Sequence, residues 1–239
     1  MDSYRADLYL NGTLAERFDY QVKSSGKYRM LYRNWKMPLS SQSLDTPYIE
    51  PLGILPTSGA VPYVRDHNGT VQILSASGNR YNSEIASLAL VNEAGGYYPQ
   101  RFSAGQYQME YLFRIHPYLE CDQELCHWNL MLANEHLPYR KIAIYIHDPD
   151  ELIVELFTHP QLRTQKEGEI WVITGGSPKD ELIEVEMLLL PQAANIIEGF
   201  SREVSNVYQR TITAQESEGS SLLFVLRFLV AALPLLLIL

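Results

Sequence analysis

Tyr4-Arg5-Ala6-Asp7-Leu8-Tyr9-Leu10-Asn11-Gly12-Thr13-Leu14-Ala15-Glu16-Arg17-Phe18-Asp19-Tyr20-Gln21-Val22 is the stretch that decides the fold class. Tyr4, Ala6, Leu8 and Leu10 alternate with Arg5, Asp7 and Tyr9. After Asn11-Gly12, Leu14, Glu16, Phe18, Tyr20 and Val22 alternate with Ala15, Arg17, Asp19 and Gln21. A period of two places one set on a buried face and the other in water, which is the signature of a strand. Two such runs flanking Asn-Gly predict a β-hairpin closed by a type I′ turn.

The same pattern extends along the chain. Tyr28 to Arg33 reads as a short strand, and Met37 to Pro47, rich in Ser and Pro, as a loop. Val61 to Asp66 and Thr70 to Ser75 flank a second Asn-Gly, Asn68-Gly69. Asn82 to Val91 fits a short helix or a buried strand, and Gly95-Gly96 and Ser103-Ala104-Gly105 read as turns. Tyr107, Met109, Tyr111, Phe113 and Ile115 define the clearest single strand. Further strands are expected at Leu125 to Met131, Arg140 to His147, Leu152 to Phe157, Gly168 to Thr174 and Glu181 to Leu190. In the last of these, Ile183, Val185, Met187 and Leu189 oppose Glu184 and Glu186. Roughly ten short strands with almost no helical periodicity predict an all-β chain, an antiparallel, immunoglobulin-like β-sandwich. No linker divides it, so one domain is expected over residues 1–200, followed by a polar stem over 201–221.

Residues 222–239 are of a different kind, with Arg227 and Pro234 the only interruptions of an apolar run. Eighteen helical residues span about 27 Å, close to the hydrocarbon thickness of a bilayer. A C-terminal transmembrane helix is therefore expected, with the lipid bilayer as a partner and Arg227 snorkelling toward the headgroups. The 239 residues carry a net charge of −9, so the chain without Arg227 stands at −10. Such an acidic body excludes sequence-independent nucleic-acid binding, which requires a basic footprint.

No signal segment is read at Met1-Asp2-Ser3-Tyr4-Arg5, which taken literally gives a tail-anchored protein with a cytosolic domain. Two features favour the extracytoplasmic side instead. Asn11-Gly12-Thr13 and Asn68-Gly69-Thr70 are glycosylation sequons, making Asn11 and Asn68 candidate acceptors, although turn chemistry alone also accounts for Asn-Gly. Cys121 and Cys126 are the only cysteines and flank a short loop, as a disulfide in an oxidising compartment would. The alternatives are free thiols and a metal site, since His116, Cys121, Cys126 and His127 form His-x4-Cys-x4-Cys-His, a spacing that matches no common zinc module.

The opening segment Tyr4 to Leu14, the arginine-containing strand Tyr28 to Arg33, and the tyrosine-rich run Gln106 to Ile115 together resemble a family. So does Glu124-Leu125-Cys126-His127-Trp128-Asn129, with its acidic-Leu-x-x-Trp-Asn pattern. The family is that of the predicted membrane proteins grouped as domain of unknown function 2207. The resemblance implies an extracytoplasmic β-domain followed by membrane helices in prokaryotic envelope proteins, and it supplies no catalytic residues. Two departures from the family's pattern are read. The leading segment is missing, and the chain halts at its first apolar run, as expected of a fragment, a misplaced gene start or a shortened variant.

Catalytic signatures are scarce. No Gly-x-Ser-x-Gly, His-Glu-x-x-His or Walker loop occurs. Gly175-Gly176-Ser177-Pro178 reads as a turn. His147-Asp148-Pro149-Asp150-Glu151 reads as a turn in preference to a calcium loop. No cofactor or metal is expected, and the question of an enzyme stays open with a non-catalytic reading preferred. The 16 tyrosines and three tryptophans suggest an aromatic binding surface at Tyr97, Tyr98 and Trp128. The function expected is a membrane-anchored, extracytoplasmic binding module for an envelope protein. A carbohydrate-binding module is the alternative, and a hydrolase with an unrecognised site comes third.

Overall fold

In the first hairpin, β1 (Ser3–Tyr9) and β2 (Thr13–Val22), the alternation read from sequence becomes a register: Ala6 lies opposite Glu16, and Leu8 opposite Leu14. Tyr4, Ala6, Leu8, Leu14 and Phe18 are all buried, while Arg5 and Arg17 point outward. The turn differs from the expected type I′. The Gly12 amide donates to the Tyr9 carbonyl, and only Gly12 has a left-handed φ (+87°). The second Asn-Gly behaves alike, with the Gly69 amide on the Asp66 carbonyl and φ +82°. Both are turns closed by a left-handed glycine, the bulged hairpin form, in which Asn need not leave the ordinary φ range.

The computed structural model describes residues 1–215. After the first hairpin come β3 (Met30–Asn34), β4 (Tyr48–Leu55), β5 (Val61–Arg65), β6 (Val71–Ile73), α1 (Asn82–Leu88), β7 (Glu93–Tyr97) and β8 (Gly105–His116). They are followed by β9 (Tyr118–Cys121), β10 (Cys126–Ala133), β11 (Tyr139–His147), β12 (Ile153–His159) and β13 (Arg163–Glu167). The last strands are β14 (Ile170–Ser177), β15 (Ile183–Leu189) and β16 (Phe200–Glu203). Residues 207–215 are helical. The chain is therefore β-rich, as expected.

Three open sheets result. The largest runs β13-β14-β11-β1-β2-β8-β4, the second β12-β15-β10-β9-β16, and the third β3-β7-β5-β6. One buried cluster draws Leu8, Phe18, Phe113 and Ile144 from the first sheet and Trp128, Leu130, Val185 and Met187 from the second. A smaller cluster under α1 holds Tyr63, Ile85, Ala89 and Tyr97. A wholly antiparallel arrangement is corrected here: β1 pairs with β11 in parallel, and β16 with β9. Parallel neighbours require long connections, and more than a hundred residues separate β1 from β11.

Three further readings change. Gly95-Gly96 is no turn but the middle of β7, where a Cβ on Gly95 would meet the Tyr63 hydroxyl at 2.7 Å and the Leu31 carbonyl at 2.8 Å. Gly175 to Ser177 ends β14 rather than forming a turn. Residues 201–215, read as a polar stem, carry the end of β16 and the start of a helix. Among the described residues no helix is long and apolar enough to cross a membrane, and the apolar run 222–239 lies outside them.

Candidate functional site

The outward faces of β1, β2, β8 and β4 form an open surface on which charged and apolar side chains meet. Pairing sets the order across it. Arg5 lies opposite Arg17, Arg17 opposite Glu110, and Glu110 opposite Leu55. In the adjacent row Asp7 lies opposite Ala15, Ala15 opposite Leu112, and Leu112 opposite Gly53. The small residues Ala15 and Gly53 leave a depression of about 460 Å³ between the longer side chains. Arg17 also borders a second groove, of about 790 Å³, lined by Asp19, Gln108, Arg140 and Lys141.

Two arginines facing each other across a strand pair would repel, and each is balanced within its own strand. Arg5 holds Asp7 at 2.8 Å, and Arg17 holds Asp19 at 3.3 Å. Arg5 also lies over the Tyr145 ring at 4.5 Å. Burial opposes ionisation of Asp7, but hydrogen bonds from Arg5 and His147 outweigh it and hold its carboxyl below the usual range. Leu55 and Leu112 stand exposed beside these charges, Leu55 at 65%.

The aromatic surface expected at Tyr97, Tyr98 and Trp128 does not form. Tyr97 and Trp128 are fully buried, and Tyr98 is half-buried and stacked on Phe102. Tyr97 faces the small core under α1, and Trp128 faces the main core, so their rings serve packing. Asn11 and Asn68 are exposed at hairpin ends, where Asn11 Oδ1 accepts the Thr13 amide at 3.0 Å.

Cys121 and Cys126 face each other across the β9–β10 hairpin with their Sγ atoms 2.03 Å apart, a disulfide distance. The His-x4-Cys-x4-Cys-His alternative is not assembled. His116 Nε2 sits 3.3 Å from Glu50 and its ring stacks on Tyr48. His127 turns instead toward Glu186. The 147–151 segment is a turn: Asp148, fully buried, accepts the amides of Leu152 at 2.7 Å and Ile153 at 3.1 Å.

Among the described residues one group of side chains can hold a metal ion, and sequence reading did not find it. His159, Glu184 and Glu186 bring one ligand atom each to within 4.8 Å of one another. They project from the outward face of the second sheet, where His159 lies directly opposite Glu184 in the β12–β15 register. Glu186 Oε1 lies 3.2 Å from His159 Nε2, and Oε2 lies 3.1 Å from His127 Nε2. Burial raises the cost of ionising Glu186, but the hydrogen bond and charge of His127, with His159 and Gln215, outweigh it and keep its carboxyl below the ordinary value.

The model of the family described as "Predicted membrane protein (DUF2207) N-terminal domain" matches residues 1–189. The chain belongs to this family. No curated protein matches the sequence. The DUF2207 match ends at Leu189, the last residue of β15, so it contains the Arg5/Arg17 groove, the cysteine hairpin, Glu184 and Glu186. The strand β16 and the helix from residue 207 lie beyond it. The expectation of a predicted membrane protein of this family therefore holds for the β-rich body.

Proposed function

We propose that this DUF2207 domain is the extracytoplasmic part of a membrane-anchored protein and works by binding an envelope partner rather than by catalysis. In this reading the first and second sheets act as a β-sandwich scaffold, and residues 222–239 form the anchor in the bilayer. The observation that carries the binding role is the groove in which Arg5 and Arg17 face each other beside exposed Leu55 and Leu112. Charge flanked by exposed leucine is the composition of an interface rim meeting its apolar centre. The partner that suits it is a protein segment with a carboxylate set next to apolar side chains. Asp7 and Asp19 hold the two guanidiniums in place until a partner's carboxylate competes for them.

Support for the extracytoplasmic side comes from the cysteine pair at disulfide distance and from the two exposed sequons. The test uses the full chain in membranes, with photo-crosslinking from the first-sheet face. Arg17→Glu combined with Leu112→Glu is expected to abolish a crosslinked membrane-protein adduct that the wild type forms. An adduct of undiminished yield in that variant refutes the assignment of this face. Labelling of non-reduced cells with a membrane-permeant thiol reagent tests the disulfide on which the side rests: Cys121 and Cys126 are expected to resist the reagent, and two freely labelled thiols refute the disulfide and weaken the extracytoplasmic assignment.

A further inference from the structure

The outward face of the second sheet carries a second, independent site. Glu184 and Glu186 alternate outward along β15, β12 brings His159 against them, and β10 brings His127. Three neighbouring strands thus converge two imidazoles and two carboxylates on one patch. The patch is sheltered: the His127, His159 and Glu186 side chains keep 19%, 18% and 11% of their exposure. The helix that begins at residue 207 reaches it through Gln215, whose Nε2 donates to Glu186 Oε2 at 3.1 Å and lies 3.2 Å from His159 Nε2.

We propose that His159, Glu184 and Glu186 form a binding site for a divalent first-row transition cation of the zinc type, with His127 as the residue that positions Glu186. The ligand set selects this class. Imidazole nitrogen disfavours calcium and magnesium, which take all-oxygen shells, whereas mixed nitrogen and carboxylate sets suit zinc. The spacing fits as well. A tetrahedral ion with bonds of about 2.0–2.1 Å has ligand atoms about 3.3 Å apart. The 3.2 Å between His159 Nε2 and Glu186 Oε1 is one such edge already in place.

The roles divide by atom. His159 Nε2, Glu186 Oε1 and a Glu184 oxygen face the ion. Glu186 Oε2 stays with His127 Nε2 and Gln215 Nε2, which fix the carboxylate's orientation as outer partners do for a metal-bound group. A metal takes the lone pair of His159 Nε2, so the bound imidazole carries its proton on Nδ1 and any second proton is released to water. Gln215 ties the helix from residue 207 to this patch through Glu186 Oε2.

The test titrates the metal-free full chain in detergent with Zn²⁺ against a chromophoric chelator, and with Co²⁺ while following its visible absorption. One saturable equivalent is expected, with an intense band for low-coordinate cobalt. His159→Ala and Glu184→Gln should each weaken binding by about 100-fold or more, and His127→Gln by about 10- to 100-fold. His116→Ala, which lies away from the patch, should bind as the wild type does. Circular dichroism of the metal-free variants checks folding, and if His159→Ala fails to fold, the isosteric Glu184→Gln decides alone. Absence of a saturable equivalent in the wild type overturns the site, and so does wild-type affinity in folded Glu184→Gln.

Discussion

Arg33 donates from Nε to Glu16 Oε2 at 3.1 Å, and both side chains are buried. The pair joins the three sheets. Glu16 belongs to β2 of the first sheet and Arg33 to β3 of the third, and Arg33 Nη2 donates to the Leu132 carbonyl on β10 of the second. Tyr4 donates its hydroxyl to the other Glu16 oxygen at 2.6 Å, and the guanidinium lies 3.6 Å from the Trp35 ring centroid. Burial opposes the charge on Arg33, yet Glu16 outweighs it and holds the guanidinium protonated. Arg33→Met strands a buried carboxylate and is expected to cost about 3–5 kcal/mol. Arg33→Met with Glu16→Gln should recover most of that loss, because the uncompensated charge is gone. Urea unfolding of the two variants measures both effects, and a double variant no more stable than Arg33→Met refutes the account.

That pair shows how far the sequence could be read. Alternation put Glu16 on the apolar face of its strand, and the structure buries it there. Its partner comes from another sheet, which no local period encodes. The same holds for the cation patch: the outward alternation of Glu184 and Glu186 was legible, but His127 and His159 join them only through the pairing of β10 and β12 with β15. Gly95-Gly96 was misread as a turn because glycine signals a turn and a close approach equally well. β4 was missed because Pro51 and Gly53 interrupt it at a register shift, and β13 because Arg163 to Glu167 has no apolar face. The aromatic surface failed for a related reason, since Tyr and Trp on a strand fill a core as readily as they face a ligand.

Glu93 introduces a pH dependence with a definite sign. It is buried, and it accepts bonds from the Tyr63 hydroxyl and from the Leu90 amide at 3.1 Å. Burial outweighs those bonds and pushes its carboxyl up from 4.5 to about 7. Between those values the folded state binds more protons than the unfolded one, so stability falls as pH rises through the window and levels off above it. Glu93→Gln mimics the protonated form and should flatten this slope. The gain over wild type is expected to be on the order of 3 kcal/mol at pH 8 and near zero at about pH 4. Thermal unfolding at the two pH values checks it, and parallel profiles for the two proteins reject it.

The Cys121 and Cys126 pair encloses only a six-residue hairpin end, so its effect on the unfolded chain is modest. Closing so short a loop contributes about 2 kcal/mol in the chain-entropy picture. Reductant should lower wild-type stability by about that amount and leave the Cys121→Ala/Cys126→Ala double variant unchanged. Equal sensitivity of both proteins to reductant would show that the sulfurs are not joined.

Asp122, next to that hairpin, governs how the helix from residue 207 is seated. Its Oδ1 accepts the amides of Glu124 at 2.9 Å and Leu125 at 2.8 Å, and its Oδ2 accepts the Val207 amide at 2.8 Å. Val207 opens the helix, where backbone amides lack carbonyl partners within the helix and a negative charge is favoured. Asp122 thus caps the helix from a distant hairpin, while the Val204 amide on the Cys121 carbonyl anchors the approach. The amides of Leu125 and Val207 hold its carboxyl below the usual range. That contribution is present at neutral pH and fades as the pH falls through the ordinary aspartate value toward the lower folded one. Asp122→Ala is expected to loosen the helix by about 1–2 kcal/mol with little change in the main core. Hydrogen exchange separates those two outcomes. Faster exchange across 207–215 with the β10–β15 amides unchanged is the expected result, and unchanged protection of the helix would mean that side-chain packing by Val207 and Thr211 alone seats it.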